Sequence, residues 1–254
     1  MSEKIITKQN TDHKLLDYYR NILTKVEPIY KVLGFDLDGT ILDTKHNSYL
    51  TGMAAFRKLG LNECTEEEWH AAFDLENNFE KMHRTLGVPG KYYKGTNSIF
   101  SKYWAEEREK LEDETVPGII LGIEETLELI KSIKGIERMC VISVGNSKRP
   151  ERLLSAHGLT RYFDDIFADS IDKTNSLKEL NKNGSRAIYF SDVSFDGYAC
   201  KKSGVQFGLV VDYEHGYEPK ETIDRYIIED KEVIPVDGFR NIPSALVDWV
   251  SMTC

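Results

Sequence analysis

Long apolar runs are missing from this sequence. No stretch approaches the about 18 apolar residues that a membrane-spanning helix needs. The polar segment from Met1 to Asp12 has no apolar core of the signal-peptide kind. Cysteine is scarce: Cys64, Cys140, Cys200 and Cys254 are scattered, with no C-x-x-C pair. They read as reduced thiols of a cytosolic protein. Basic residues are outnumbered, with 33 Lys and Arg against 42 Asp and Glu, for a net charge of −9. Such a surface repels phosphate backbones and excludes a general nucleic-acid binder. It leaves room for a local basic pocket that holds a small phosphorylated metabolite. Internal repeats and low-complexity tracts are absent as well. The expectation is a cytoplasmic protein with neither nucleic-acid nor membrane partners.

What is present is ordinary globular material. The 254 residues are 41% hydrophobic and 30% charged, enough for one or two domains with a substantial core. Residues 1–28 read as an N-terminal helical extension, with Thr11 or Asp12 as its cap and Pro28 as its end. Leu15, Tyr19, Leu23 and Val26 form one apolar stripe, read as core-facing; a lid or homodimer contact is the alternative. Tyr30–Phe35 suits a strand. From Thr44 to Glu114 strand signals vanish, and Thr65-Glu-Glu-Glu68 fits a capping box, so 44–114 reads as a helical insert. After Pro117-Gly118, apolar strands alternate with amphipathic helices. Strands are expected at Met139–Ser143, Asp165–Ala168, Ala187–Phe190, Gln206–Val211 and around Tyr226–Ile228, with a helix from Ser244. The pattern predicts an α/β core over 29–43 and 115–254, a doubly wound parallel sheet covered on both faces.

The most specific string is Gly34-Phe-Asp-Leu-Asp-Gly-Thr-Ile-Leu-Asp43. Asp36 and Asp38 follow a buried strand two residues apart, so in extended chain they share a face. Their repulsion calls for a cation or a raised pKa. Gly39 permits a tight turn and Thr40 offers a hydroxyl. Three further signals follow in order. Met139-Cys-Val-Ile-Ser143 places Ser143 at a strand end, followed by Val144, Gly145 and Asn146. Ile171-Asp-Lys-Thr174 places Lys173 ahead of a helix that contains Lys178. Ala187-Ile-Tyr-Phe-Ser-Asp192 gives Asp192, with Asp196 four residues on. Each falls at the carboxyl end of an expected parallel strand, where open α/β sheets bind ligands.

This set resembles the four signatures of the haloacid dehalogenase superfamily. It is most similar to the branch of phosphatases with a helical cap, the phosphoglycolate phosphatase-like proteins. The resemblance implies a Rossmann-like core with an inserted α-helical cap, and Mg²⁺ as cofactor. It assigns Asp36 as nucleophile, Asp38 as acid and base, and Lys173 as the cation that neutralises nucleophile and phosphate. Gly39, Thr40, Ser143 and Lys173 are the implied phosphate contacts. The implied metal set is Asp36, the Asp38 carbonyl and Asp192, supported by Asp196. Family dehalogenases lack the second aspartate, so Asp38 points to phosphoryl transfer through an aspartyl-phosphate. Cap residues near the hinge, His46, Asn47 and Lys91, read as solvated surface. A sugar phosphomutase of the same fold and a non-catalytic binding protein remain as alternatives.

Overall fold

Val32–Phe35 is an unbroken apolar run, and all four residues are buried. In the computed structural model it forms the central strand β1. The structure describes residues 14–23, 25–73, 79–93, 98–145, 148–168, 173–182 and 184–247. Among these the other strands are β2 (Leu42–Asp43), β3 (Gly118–Ile119), β4 (Arg138–Ile142), β5 (Asp165–Phe167), β6 (Ala187–Ser191), β7 (Gln206–Val211) and β8 (Ile234–Asp237). Six of them build one sheet in the order β5-β4-β1-β6-β7-β8, and every pairing is parallel. The chain order runs outward from β1 on both sides. The carboxyl ends of β1, β4 and β6 therefore meet at a switch point, the usual ligand position of such sheets.

Helices cover both faces, as continuous apolar strands require. On one side lie α1 (14–23) and the helix that follows the insert. Tyr19 and Leu23 of the expected stripe are buried in the main core, joined by Leu16, while Leu15 and Val26 sit at its margin. The Tyr19 hydroxyl donates to Asn241 Oδ1 at 3.1 Å, so this face is covered by the chain's own carboxyl-terminal segment. The proposed cap residues Thr11 and Asp12 lie outside the described residues, as do Asn146 and Cys254.

The span expected to be helical holds α2 (Lys45–Leu59), α3 (Glu66–Phe73), α4 (Phe79–Thr85), α5 (Gly90–Tyr93) and α6 (Ile99–Glu114). The capping box at α3 is formed: the Glu68 N–H donates to Thr65 Oγ1 at 3.1 Å, and the Thr65 N–H donates to Glu68 Oε2 at 2.8 Å. These helices bury a cluster of their own around Trp69, Phe56 and Phe100. The Trp69 indole lies against Gly52 of α2, where any side chain would strike the ring. Antiparallel β2 and β3 pair Leu42 with Ile119 and Asp43 with Gly118, which closes the chain where the insert leaves and returns.

The remaining helices are α7 (Ile123–Ser132), α8 (Lys148–Ala156), α9 (Thr174–Leu180), α10 (Phe195–Ser203), α11 (Lys220–Glu229) and α12 (Ile242–Ala245). One expectation fails outright. Tyr226–Ile228 is helical within α11, not a strand. The β-branched Ile227-Ile228 pair suggested extended chain, but buried Ile223 and Tyr226 recur at helical spacing and pack under β7. The last strand is instead β8, whose Pro235 is tolerated because β8 is an edge. The final helix starts at Ile242, two residues before the expected Ser244. No helix among the described residues is long and apolar enough to cross a membrane.

Trp69 is the largest fully buried side chain of the insert. Trp69→Ala should destabilise the protein by about 3–5 kcal/mol through the cavity it leaves. Denaturant titration followed by circular dichroism measures this; a loss under about 1 kcal/mol would mean that the insert repacks.

Candidate active site

The chain leaves β1 at Asp36, whose N–H donates to the Phe190 carbonyl of β6 at 2.8 Å. The carboxylate is thus held between two strands, buried, at the sheet's carboxyl edge. Its Oδ1 accepts from the Leu37 N–H at 2.8 Å and pairs with Lys173 Nζ at 3.0 Å. Lys173 stands immediately before α9 and is buried as well. Its ammonium also donates to Asp196 Oδ2 at 2.7 Å and to the Tyr189 hydroxyl at 3.0 Å. All three donors of the ammonium therefore have partners. The Ser191 hydroxyl lies 2.7 Å from Asp196 Oδ2 and 3.2 Å from Asp36 Oδ2, so its proton serves one or the other.

Asp192, at the end of β6, is held by neutral donors. Thr40 Oγ1 donates to its Oδ1 at 3.1 Å, and the Tyr217 N–H donates to its Oδ2 at 2.8 Å. The Asp192 N–H returns to Thr40 Oγ1 at 3.1 Å. Thr40 thus orients Asp192, where the sequence had suggested a phosphate contact. Gly39 has φ +73, and a side chain there would run into the Asp192 carboxylate. Its role is close approach to Asp192. Ser143 is buried just beyond β4, its N–H donating to the Phe167 carbonyl at 3.0 Å.

Asp36 and Asp38 were expected to face one way; the structure separates them. The chain turns at Leu37–Ile41, and the Asp38 carboxylate enters a cluster of guanidinium groups. Arg149 of α8 grips it at both oxygens, Nη1 to Oδ2 at 2.9 Å and Nη2 to Oδ1 at 2.7 Å. Arg108 of α6 adds Nη2 to Oδ2 at 2.8 Å. The Asp38 side chain is therefore an ion-pair partner here and no candidate metal ligand. The Asp196 side chain is engaged likewise with Lys173 and Ser191. Arg108, Arg149 and Tyr217 escaped the sequence reading, because they lie on α6, on α8 and in the loop before α11, away from any motif; Ser191 lies inside the fourth string but was given no role.

The electrostatics follow from this geometry. Burial, foremost, pushes Asp36 up to about 6, against the pull of the Lys173 ammonium. Burial and the facing Asp36 charge raise Asp192 as well. Burial would raise Asp38 too, but Arg108 and Arg149 overcome it and hold that carboxyl well below the usual range. Burial opposes the charge on Lys173, yet Asp196 and Asp36 raise its pKa above the ordinary lysine value.

The site thus holds three buried carboxylates, Asp36, Asp192 and Asp196, and one buried ammonium, which pairs with Asp36 and Asp196. The excess of two negative charges suits a divalent cation. Among the described residues no group of three or more His, Cys, Asp or Glu side chains stands close enough to hold a metal ion alone. The donor set that fits is the pair Asp36 and Asp192 with backbone oxygen and water. Such a sparse oxygen set is one that Mg²⁺ accepts.

An aspartate nucleophile candidate, a lysine and a second acidic pair at the switch point of a parallel sheet define the class. Residues 33–210 match the family model of haloacid dehalogenase-like hydrolases, and the chain belongs to that family. Solved structures agree in fold. A predicted phosphoglycolate phosphatase from Haemophilus somnus is 18% identical with a TM-score of 0.63, over 89% of this chain and 98% of that one. A conserved haloacid dehalogenase-like protein from Agrobacterium tumefaciens is 17% identical with a TM-score of 0.64, over 89% and 100%. CbbY from Rhodobacter sphaeroides, solved with xylulose 1,5-bisphosphate, is 17% identical with a TM-score of 0.62, over 85% and 99%. At these identities the likeness establishes the fold. No curated protein matches the chain in sequence.

A stability prediction follows from Asp36. Its native pKa lies above the ordinary 3.8, so the native state holds this proton more tightly than the unfolded chain. The associated stability is complete below about pH 4 and is lost as pH rises through about 6. In the divalent-free protein, Asp36→Asn should therefore gain about 1–3 kcal/mol at pH 7.5 and nothing near pH 4. Urea unfolding at the two pH values measures it. A less stable variant at pH 7.5 would show that the Lys173 pair outweighs burial.

Proposed function

We propose that the protein is a Mg²⁺-dependent phosphatase that hydrolyses a small phosphate monoester through an aspartyl-phosphate. The observation that carries this reading is the buried Asp36 carboxylate, 3.0 Å from Lys173 Nζ at the sheet's switch point. Asp36 is fixed by the Leu37 N–H and Lys173, which leaves one oxygen beside Ser191 to attack phosphorus in line. Lys173 stays charged beside it and offsets the negative charge that gathers as a phosphate approaches. Asp36 and Asp192, with the Asp38 carbonyl, would hold the cation. When bound, Mg²⁺ supplies charge neutralisation between the carboxylates and the phosphoryl oxygens. Ser143, at the end of β4, offers a hydroxyl for one phosphoryl oxygen.

Asp38 is the group assigned to protonate the leaving oxygen and later to take a proton from water. Thr40 and Tyr217 keep Asp192 in place, and Tyr217 also ties this loop to the insert, its hydroxyl 2.8 Å from Thr44 Oγ1. The helical insert acts as a cap: α6 brings Arg108 and Glu112 to the site and excludes water from it. A site covered in this way suits a small soluble metabolite, in a soluble cytoplasmic setting.

The test is turnover of p-nitrophenyl phosphate. Its leaving group departs without a proton, so formation of the aspartyl-phosphate does not call on Asp38 as an acid. Turnover should need Mg²⁺, stop with EDTA, and fall at least about 1,000-fold in Asp36→Asn. Turnover that survives Asp36→Asn would remove the nucleophile from this reading.

A further inference from the structure

The first N–H groups of a helix have no partner within it. At the start of α10 they are met from outside. Ser194 stands at the N-cap, yet its hydroxyl makes no cap bond to the helix. It donates instead to Glu218 Oε1 at 2.9 Å, and the Ser194 N–H donates to Glu218 Oε2 at 2.9 Å. Both residues are buried. A carboxylate removed from water is costly unless donors meet it, and here one residue supplies two.

The turn that Glu218 grips is the one that carries Asp192. Three successive N–H groups of that turn each go to a side-chain oxygen. Asp192 donates to Thr40 Oγ1 at 3.1 Å, Val193 to Ser191 Oγ at 3.3 Å, and Ser194 to Glu218. Thr40 and Ser191 belong to the neighbouring strand ends. Glu218 comes from the loop between β7 and α11. That loop is stiffened by its own bonds. Asp212 Oδ1 accepts from the Glu214 and His215 N–H groups at 3.0 and 3.1 Å, and the Asp212 carbonyl accepts from the Gly216 N–H at 2.8 Å. A side chain on Gly216 would meet the Asp212 carbonyl oxygen at 2.6 Å and Asp192 Cβ at 3.4 Å, so the loop lies directly on Asp192. Pro219 then leads into α11. Two consecutive residues thus reach one turn from one firm support: the Tyr217 N–H takes Asp192 Oδ2 at 2.8 Å, and Glu218 takes Ser194.

On the cation-dependent reading above, we propose that Glu218 is a positioning residue for the cation: it clasps the 192–194 turn from outside and holds Asp192 in the orientation the cation needs. It acts through Ser194. Without it the Ser194 N–H and hydroxyl lose their acceptor, the turn gains freedom, and Asp192 must be ordered again when a cation binds. That ordering cost falls on cation affinity. Once the cation is bound, the turn is fixed again and the chemistry is spared.

The experiment measures Mn²⁺ binding to the substrate-free protein, with free Mn²⁺ read by electron paramagnetic resonance and Mg²⁺ added as competitor. Glu218→Ala should weaken both cations by about 10-fold or more. Glu218→Gln keeps an acceptor for the Ser194 N–H but not the charge, and should stay within about 3-fold of the parent protein. Equal losses in the two variants would mean that charge, not the clasp, sets affinity, and would overturn the proposal. Ser194→Ala removes one of the two bonds and keeps the buried carboxylate; it should cost about 3-fold, and it carries the test if Glu218→Ala does not fold. In p-nitrophenyl phosphate turnover, Glu218→Ala should raise the Mg²⁺ requirement by the same factor and keep the rate at saturating Mg²⁺ within about 2-fold. A purely structural role would lower the urea midpoint of these variants and leave Mn²⁺ affinity unchanged, and that result overturns the clasp alone. A parent protein that takes up no Mn²⁺ overturns the clasp and the cation reading together. A parent that binds Mn²⁺ but turns over no aryl phosphate fails the phosphatase reading, and the Mn²⁺ comparison still decides the clasp.

Discussion

One buried ammonium organises the site. Lys173 has all its donors committed, to Asp36, Asp196 and Tyr189, at the carboxyl edge of the sheet. Without it, Asp36 and Asp196 would be two buried carboxylates with no cation beside either, which is strongly destabilising. Each partner comes from a different element: Asp36 from the end of β1, Lys173 from the start of α9, Tyr189 from β6 and Asp196 from α10. The ammonium therefore also constrains how those elements meet. The Tyr189 hydroxyl extends the constraint to the Ile142 carbonyl of β4 at 3.1 Å. The ammonium and the two hydroxyls, Tyr189 and Ser191, each have partners in this chain of contacts, which favours one geometry.

The second feature is the division of two aspartates that stand two residues apart. Asp36 lies in a dry environment short of cations, and its pKa rises; Asp38 lies among guanidiniums, and its pKa falls. The division follows from where the chain turns: Asp36 stays at the sheet's edge, while Asp38 meets guanidiniums from two helices. Arg108 and its partner Glu112 both belong to α6 of the insert, while Arg149 belongs to the core.

Much of the scaffold could be read from the residues. The apolar runs of β1, β4, β6 and β7 carry their own signal because strands buried on both faces have no polar positions to confuse the pattern. The capping box at Thr65 was legible because it is a local hydrogen-bond exchange over three residues. The carboxyl-terminal part was harder. Ile227 and Ile228 favour strands locally, but Ile223, Tyr226 and Ile227 share a helical face that the underside of β7 buries. Tertiary burial overrode propensity there. β8 was missed because Pro235 argues against a strand unless the strand is known to lie at an edge.

The sequence by itself determined the parallel sheet, the helical insert and the positions of Asp36, Asp38, Lys173, Asp192 and Asp196 at strand ends or helix starts. These are matters of periodicity and short-range order, which neighbouring residues encode. Only the tertiary structure decided what each charge meets. That Thr40 serves Asp192, that Lys173 is shared by Asp36 and Asp196, and that Arg108 and Arg149 converge on Asp38 depend on residues 23 to 152 positions apart. Coulombic pairing acts through distance in space and through burial. Neither is written in the spacing of residues along the chain.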